Sequence, residues 1–167
     1  MTQAKLKSLF KYDEKTGIFT RLYKVKGCKP NIPVGNLDSK GYLRVNITLD
    51  GKAKEYRLHR LAWLYVHGEM PRYIDHDNHN RVDNRISNLL DGSHQDNMKN
   101  QSLQRRNKSG TIGVRETKYG FTARITIDGK EKHLGSFKIK QDAIDARKNA
   151  EVANNFHQNH GAKQLGL

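Results

Sequence analysis

Apolar and polar positions alternate over short distances along this chain, and the period changes from segment to segment. Residues 6–12 predict a short helix or turn that ends at the polar run Asp13-Glu14-Lys15-Thr16-Gly17, and Ile18-Phe19-Thr20-Arg21-Leu22 predicts a strand. Residues 24–40 are basic and broken by Gly27, Pro30, Pro33 and Gly35, the composition of a loop. Residues 42–49 alternate with period two, and Asp50-Gly51 is a hairpin turn into a second strand near 54–58. The most apolar stretch follows at 58–66. Leu61, Leu64 and Tyr65 stand at helical spacing there and Gly68 stops the run, so a buried helix carrying Trp63 is expected.

Past Met70-Pro71 the chain turns polar. Tyr73-Ile74-Asp75 reads as a short strand, 77–85 as a loop and 86–90 as a second strand. Ser93, with Asp96 three positions later, is the capping-box pattern that opens a helix over about 94–103. Residues 104–110 are basic and hold no core residue, the mark of a linker or of an arm along a polyanion. A strand begins at Gly113-Val114-Arg115, 121–127 alternates as a second, and Asp128-Gly129 turns into a third at 132–137. A helix over 140–155 presents Ala143, Ala146, Ala150 and Ala153, small enough to pack close to a sheet, and the polar tail after Phe156 is expected to fray. The fold class is therefore α+β. Antiparallel strands and a helix lead into a strand–loop–strand–helix unit (residues 1–103), followed by a linker (104–110), a small three-stranded antiparallel sheet on one helix (111–160) and a tail (161–167).

Composition sharpens the picture. Of 167 residues only 35% are hydrophobic and the mean hydropathy is −0.89, which suits two small, thinly cored units better than one large domain. The 31 basic and 17 acidic side chains give a net charge of +14, the signature of a polyanion partner. That charge is segregated: residues 1–50 hold 10 basic and 4 acidic groups, 51–104 hold 8 and 7, and 105–167 hold 13 and 6. The flanks suit a phosphate backbone, and the near-neutral centre is where carboxylates for a metal would be kept. The lone Cys28 excludes an internal disulfide and a multi-thiolate zinc site. With no run of 18 apolar residues and no signal-peptide pattern, a soluble cytoplasmic protein without a membrane partner is expected.

The chemistry concentrates at Ile74-Asp75-His76, with Asn88 and Asn97 downstream. A carboxylate and an amide oxygen can hold one hard divalent cation, and an imidazole can take a proton from water near neutral pH. Asp75 and His76 point to opposite sides of an extended strand, so regular geometry must break for both to serve one phosphate. Asp75, Asp77 and His79 alternate somewhat like a calcium loop, but no Gly follows His79 and the twelfth position is Ile86 rather than Glu. His59, His67, His79 and His94 lack the cysteine-paired spacing of a zinc site. His59 reads as a structural residue beside the apolar helix.

Asp75-His76, Asn88 and Asn97, together with His59-Arg60-Leu61-Ala62, Asp83-Asn84-Arg85, Ser87-Asn88-Leu89 and Gln95-Asp96-Asn97, resemble the HNH (ββα-metal) nucleases, in particular phage-type HNH homing endonucleases. The resemblance implies that His76 is the general base and that Asn88 braces the loop and orients His76. It further implies that Asp75 and Asn97 hold one divalent ion, Mg²⁺ with Mn²⁺ able to substitute, with no small-molecule cofactor. The implied reaction is hydrolysis of double-stranded DNA to 3′-hydroxyl and 5′-phosphate ends, as a nick or a double-strand cut, by a monomer or homodimer. His94, three residues before Asn97 on the same helical face, is a further candidate to touch DNA near the ion.

The second unit has its own likeness. Asn107-Lys108-Ser109-Gly110-Thr111-Ile112-Gly113-Val114, Phe121-Thr122-Ala123-Arg124-Ile125 and Lys132-His133-Leu134-Gly135-Ser136-Phe137, followed by the alanine-bearing helix, resemble the DNA-binding domain of plant ethylene-response factors. That resemblance implies a sheet laid in the major groove, with Arg115, Arg124, Lys132, Lys118 and His133 as contact residues. Phe121 and Thr122 stand where that family usually has tryptophan and often arginine. Lys24, Lys26, Lys29 and Arg44 in the basic N-terminal region, with Arg85, Arg105, Arg106 and Lys108, complete the expected DNA-binding set. The competing reading is a sequence-specific DNA-binding regulator whose nuclease site is unused.

Overall fold

Thr2 opens the first helix of the computed structural model, which describes residues 1–24 and 29–162 and, of His94, the backbone alone. Its hydroxyl accepts from the Lys5 amide and caps α1 (Gln3–Leu9). The chain passes directly into β1 (Phe10–Asp13) and turns where the Asp13 carboxylate accepts from the amides of Lys15 (2.9 Å) and Thr16 (3.2 Å). It returns as β2 (Ile18–Arg21), with Tyr12 opposite Phe19. The basic 24–40 stretch is not wholly loop: β3 (Pro33–Val34) pairs with β2, and β4 (Asn36–Leu37) pairs with β5 (Leu43–Leu49). Two-residue pairings carry no periodic signal, so a sequence pattern cannot report them. Lys26 and Cys28 lie outside the described residues.

Strand β5 buries Val45 and Ile47 and exposes Asn46 and Thr48, as its alternation requires, and hairpins into β6 (Lys52–Arg57). Helix α2 (Leu58–His67) turns Leu58, Leu61, Ala62 and Leu64 onto Leu6, Phe10, Tyr12, Phe19, Val45, Ile47 and Leu89, the core of this unit. Trp63 is only half-buried at the margin of that core. Strand β7 (Ile74–His76) pairs with β8 (Leu89–Asp91), placing Asp75 opposite Leu90 and His76 opposite Leu89. The second strand starts later than its apolar residues suggest. Ile86–Asn88 form a 3₁₀ turn instead, because Asn88 is committed to the loop: its amide donates to Arg85 O, its Oδ1 accepts from Asn78 N, and its Nδ2 donates to Asp83 O.

The described residues divide into two compact units, Met1–Gly92 and those from Ser93 to Ala162. This division falls ahead of the 103/104 boundary suggested by the polar composition of 104–110. The second unit opens with α3 (His94–Lys99), capped reciprocally by Ser93 and Asp96 as the sequence pattern requires. The helix ends at Asn100 rather than near 103, because the next residues pair with the chain's far end: His157 N donates to Lys99 O, Gly161 N to Gln101 O and Leu103 N to Ala162 O. Residues 157–162 are thus held in place where a frayed tail was expected. Strands β9 (Val114–Thr117), β10 (Gly120–Ile127) and β11 (Lys130–Phe137) form a sheet of order β11-β10-β9, and α4 (Lys140–Ala153) packs on it. The hydrophobic centre there is small: Val114, Ala123 and Ala143, with Phe121, Leu134, Phe137 and Ile144 around them. A buried polar knot supplements it, in which Arg147 donates to Glu151 Oε1 (2.8 Å) and to Arg124 O (2.6 Å) and meets His160 Nε2 (3.1 Å). The α+β class of the sequence reading is the class of the structure. Among the described residues no helix is long and apolar enough to cross a membrane.

Candidate active site

Strand β7 sets Asp75 and His76 in succession. Asp75 is half-buried, with Oδ1 accepting from the His76 amide at 2.9 Å, whereas the His76 ring is 3% exposed. His76 Nε2 lies 3.2 Å from Asn84 Oδ1. An amide oxygen can only accept, so the ring proton belongs on Nε2 and the lone pair on Nδ1. Burial pushes the His76 pKa below the ordinary histidine value, against the pull of the Asn84 bond and of the Asp75 and Asp83 charges. The imidazole is therefore neutral at physiological pH and able to accept a proton.

Asn84, 1% exposed, is fixed from the N-terminal hairpin, where the Tyr12 hydroxyl donates to Asn84 O at 2.6 Å. The sequence assigns both bracing and orientation to Asn88. In the structure Asn88 ties the ends of the 78–88 loop together, and Asn84 meets the ring of His76. Asn84 stands inside the motif text Asp83-Asn84-Arg85, but which of several loop amides faces the imidazole depends on how that loop closes.

His59, on α2, is the second residue whose setting the sequence undervalued. Its ring is 5% exposed, 5.1 Å from that of His76 and 5.0 Å from that of Tyr42. Tyr42 in turn carries the guanidinium of Arg57 at 4.3 Å and that of Arg81 at 5.0 Å from its ring centre. Burial first, then neighbouring His76, pushes His59 down to about 3. Folding therefore holds His59 neutral while the unfolded chain protonates near 6.5. Stability is complete above pH 6.5 and is lost as the pH falls from there toward about 3. At pH 5 the loss from this residue amounts to about 2 kcal/mol. Urea unfolding at pH 7.5 and 5.0 should show it, with a shallower pH dependence in His59→Asn; equal dependence in the two proteins would refute the assignment.

The expected DNA contacts fall into distinct settings. Lys24 and Lys29 are exposed, as are Arg105, Arg106, Lys108, Arg115 and Lys118. Arg44 pairs with Glu55, Arg85 grips both oxygens of Asp83, and Arg124 pairs with Glu131 at 2.7 Å. In the three-stranded sheet, Arg115 stands opposite Thr122 and Arg124 opposite His133, on the face away from the helix. Lys132 does not share that face. It stands opposite Ile125, whose side chain is buried in the face packed by α4. Adjacent residues of a strand point to opposite sides, and the register shift between Ala123 and Arg124 decides which of Lys132 and His133 faces out. Asn97, half-buried, belongs to α3 in the second unit, and the side chain of His94 is outside the described residues. Among the described residues no three of His, Cys, Asp or Glu gather into a metal cluster.

Comparison with known proteins adds a family. Residues 56–99 match the family model described as HNH endonuclease. A solved structure described as "DNA binding and cleavage by the HNH homing endonuclease I-HmuI" is similar at 20% identity and a TM-score of 0.44, over 90% of this chain and 88% of that one. No curated protein matches in sequence. The matched segment contains α2, the β7–β8 pair with its asparagine-braced loop, and α3. The buried His76 and the Asp75 carboxylate thus lie inside a segment, residues 56–99, that is similar to HNH endonucleases, and the match supports a DNA-cleaving enzyme.

Proposed function

We propose that the chain is a metal-dependent endonuclease of the homing type that hydrolyses phosphodiesters of duplex DNA and leaves 3′-hydroxyl and 5′-phosphate ends. The observation that carries this reading is the buried His76, kept neutral and held at Nε2 by Asn84 beside the Asp75 carboxylate. His76 Nδ1 takes the proton of the attacking water, and the Asp75 and Asp83 charges favour the imidazolium that forms. The oxygen of that water bonds to phosphorus as the bond from phosphorus to the 3′ oxygen opposite it breaks, and the departing 3′ oxygen takes a proton from solvent.

Asp75 and, from α3, Asn97 are the donors we propose for a divalent cation. The donor set fits one: a carboxylate and an amide oxygen suit a hard ion such as Mg²⁺, commonly held through one or two carboxylates together with substrate phosphates. The Asp75 carboxylate is already oriented by the amide of the next residue. Such an ion, when bound, supplies charge neutralisation at the scissile phosphate. We also propose that the second unit binds DNA in the manner of the ethylene-response-factor domain. Its supports are a three-stranded antiparallel sheet on one helix and an outer face bearing Arg115, Arg124 and His133.

Incubation of supercoiled plasmid with Mg²⁺, with Mn²⁺ or with EDTA tests the reaction. Conversion to nicked or linear DNA in the metal lanes alone, with 5′-phosphate ends, is expected; equal cutting in EDTA would refute the metal requirement, and binding with no cutting in any lane would favour the regulator. Asn84→Ala should lower the cleavage rate about 10- to 100-fold with KM little changed, the usual scale for a residue that orients a reacting group. Asn84→Asp, which keeps an oxygen acceptor for Nε2, should recover part of the loss. Wild-type rates in Asn84→Ala would remove Asn84 from the machinery.

A further inference from the structure

The second unit contains a cleft with a volume of about 700 Å³, within the range of sites that take small molecules. Its walls are the 101–109 segment, edge strand β9 with the residues just before it, and the first residue of α4. Arg106, Lys108, Arg115 and Lys140 bring four cations to it against one carboxylate, Glu116. All four are exposed and, among the described residues, none forms an ion pair, unlike Arg44, Arg85, Arg124 and Arg147.

The other half of the chemistry is apolar. Ile112, Val114 and Phe121 line the same cleft on the side toward the small core. The 104–109 wall is preformed, since the Asn107 side chain bonds inside its own turn: Oδ1 accepts from Gly110 N (2.7 Å) and Nδ2 donates to Thr111 O (3.1 Å). A concave site with an unpaired cationic rim and an apolar floor matches a phosphate joined to a flat heterocycle. Stacked bases of an intact duplex cannot enter such a concavity, whereas a base out of the stack can.

We propose that this cleft binds a single nucleotide, its phosphate on the rim of Arg106, Lys108, Arg115 and Lys140 and its base against the apolar floor, supplied as an unpaired residue of a strand or as a free nucleotide. Nothing in this assignment uses Asp75, His76 or the nuclease reaction.

The full chain in EDTA is titrated with mant-ADP and, separately, with fluorescein-labelled duplexes that are intact or carry a one-nucleotide bulge. The comparison protein is the Lys108→Ala/Lys140→Ala double variant, which alters only exposed side chains. Saturable mant-ADP binding weakened at least tenfold in the double variant supports the site with a free nucleotide as a source. A preference of about tenfold for the bulged duplex, abolished in the double variant, supports it with an unpaired strand residue as the source. Absence of both effects, including an equal loss of affinity for the two duplexes, overturns it and makes the cleft a piece of ordinary backbone-binding surface.

Discussion

His76→Ala should abolish plasmid cleavage, lowering the rate by about 10²- to 10⁴-fold, while DNA binding in EDTA stays within about twofold of wild type. The two readouts separate because of where the side chain lies. At 3% exposure the ring offers almost no surface to a phosphate backbone, so its loss should not loosen the grip on DNA. Its contribution is the lone pair at Nδ1, fixed by the Nε2 bond to Asn84, and alanine has nothing to substitute. The imidazole of His59, 5.1 Å away between ring centres, cannot take over from its buried position on α2 without a change of the helix face. Thermal unfolding of the variant must accompany the assay, because an empty space beside His59 and Tyr42 will cost some stability. Cleavage within tenfold of wild type, or binding that falls in step with cleavage, would refute the general-base role.

Gly17→Ala should impair both folding and cleavage although it lies far from the chemistry in sequence. Gly17 closes the turn between β1 and β2 at φ +74°, and a Cβ there would stand 2.5 Å from Arg85 N and 2.6 Å from Asn84 C. Both neighbours are backbone, so the overlap cannot be relieved by a side-chain rotation. Left-handed strain and overpacking together should cost about 2–4 kcal/mol. The 84–85 backbone must also shift, and with it the amide that holds His76, so the fraction that folds should cut more slowly. Gly51→Ala provides the control: it has the same φ of +74° with nothing within 4 Å of the added carbon. It should lose about 1 kcal/mol and keep full activity. Urea unfolding and single-turnover cleavage of the two variants decide the matter, and equal losses in both would show that contact with the loop is irrelevant.

Elements with strong periodicity were legible in the sequence. The alternation of 42–49 became β5, the apolar face of 58–66 became α2, and Ser93 with Asp96 marked the start of α3 correctly. The Asp75-His76 pair was visible because a charged dipeptide on a short strand, followed by spaced asparagines, has few other uses. What the sequence concealed depends on contacts between distant residues. Asn84 faces His76 only because Tyr12, 72 positions earlier, holds its carbonyl. The facing of Lys132 turns on the β10–β11 register shift, and a period-two pattern continued through the shift assigns the wrong side. Residues 104–110 lack apolar side chains and so resemble a tether, yet Asn107 organises them through hydrogen bonds instead.

The pairing of 99–103 with 157–162 bears on any attempt to transplant the cutting module into another scaffold. A fragment that stops at 103 would retain the whole segment matching the nuclease family, 56–99, but strip the backbone acceptors of Lys99 and Gln101 and the donor of Leu103 of their partners. Engineered chimaeras should therefore carry the chain through Ala162 or replace those three bonds with a designed cap.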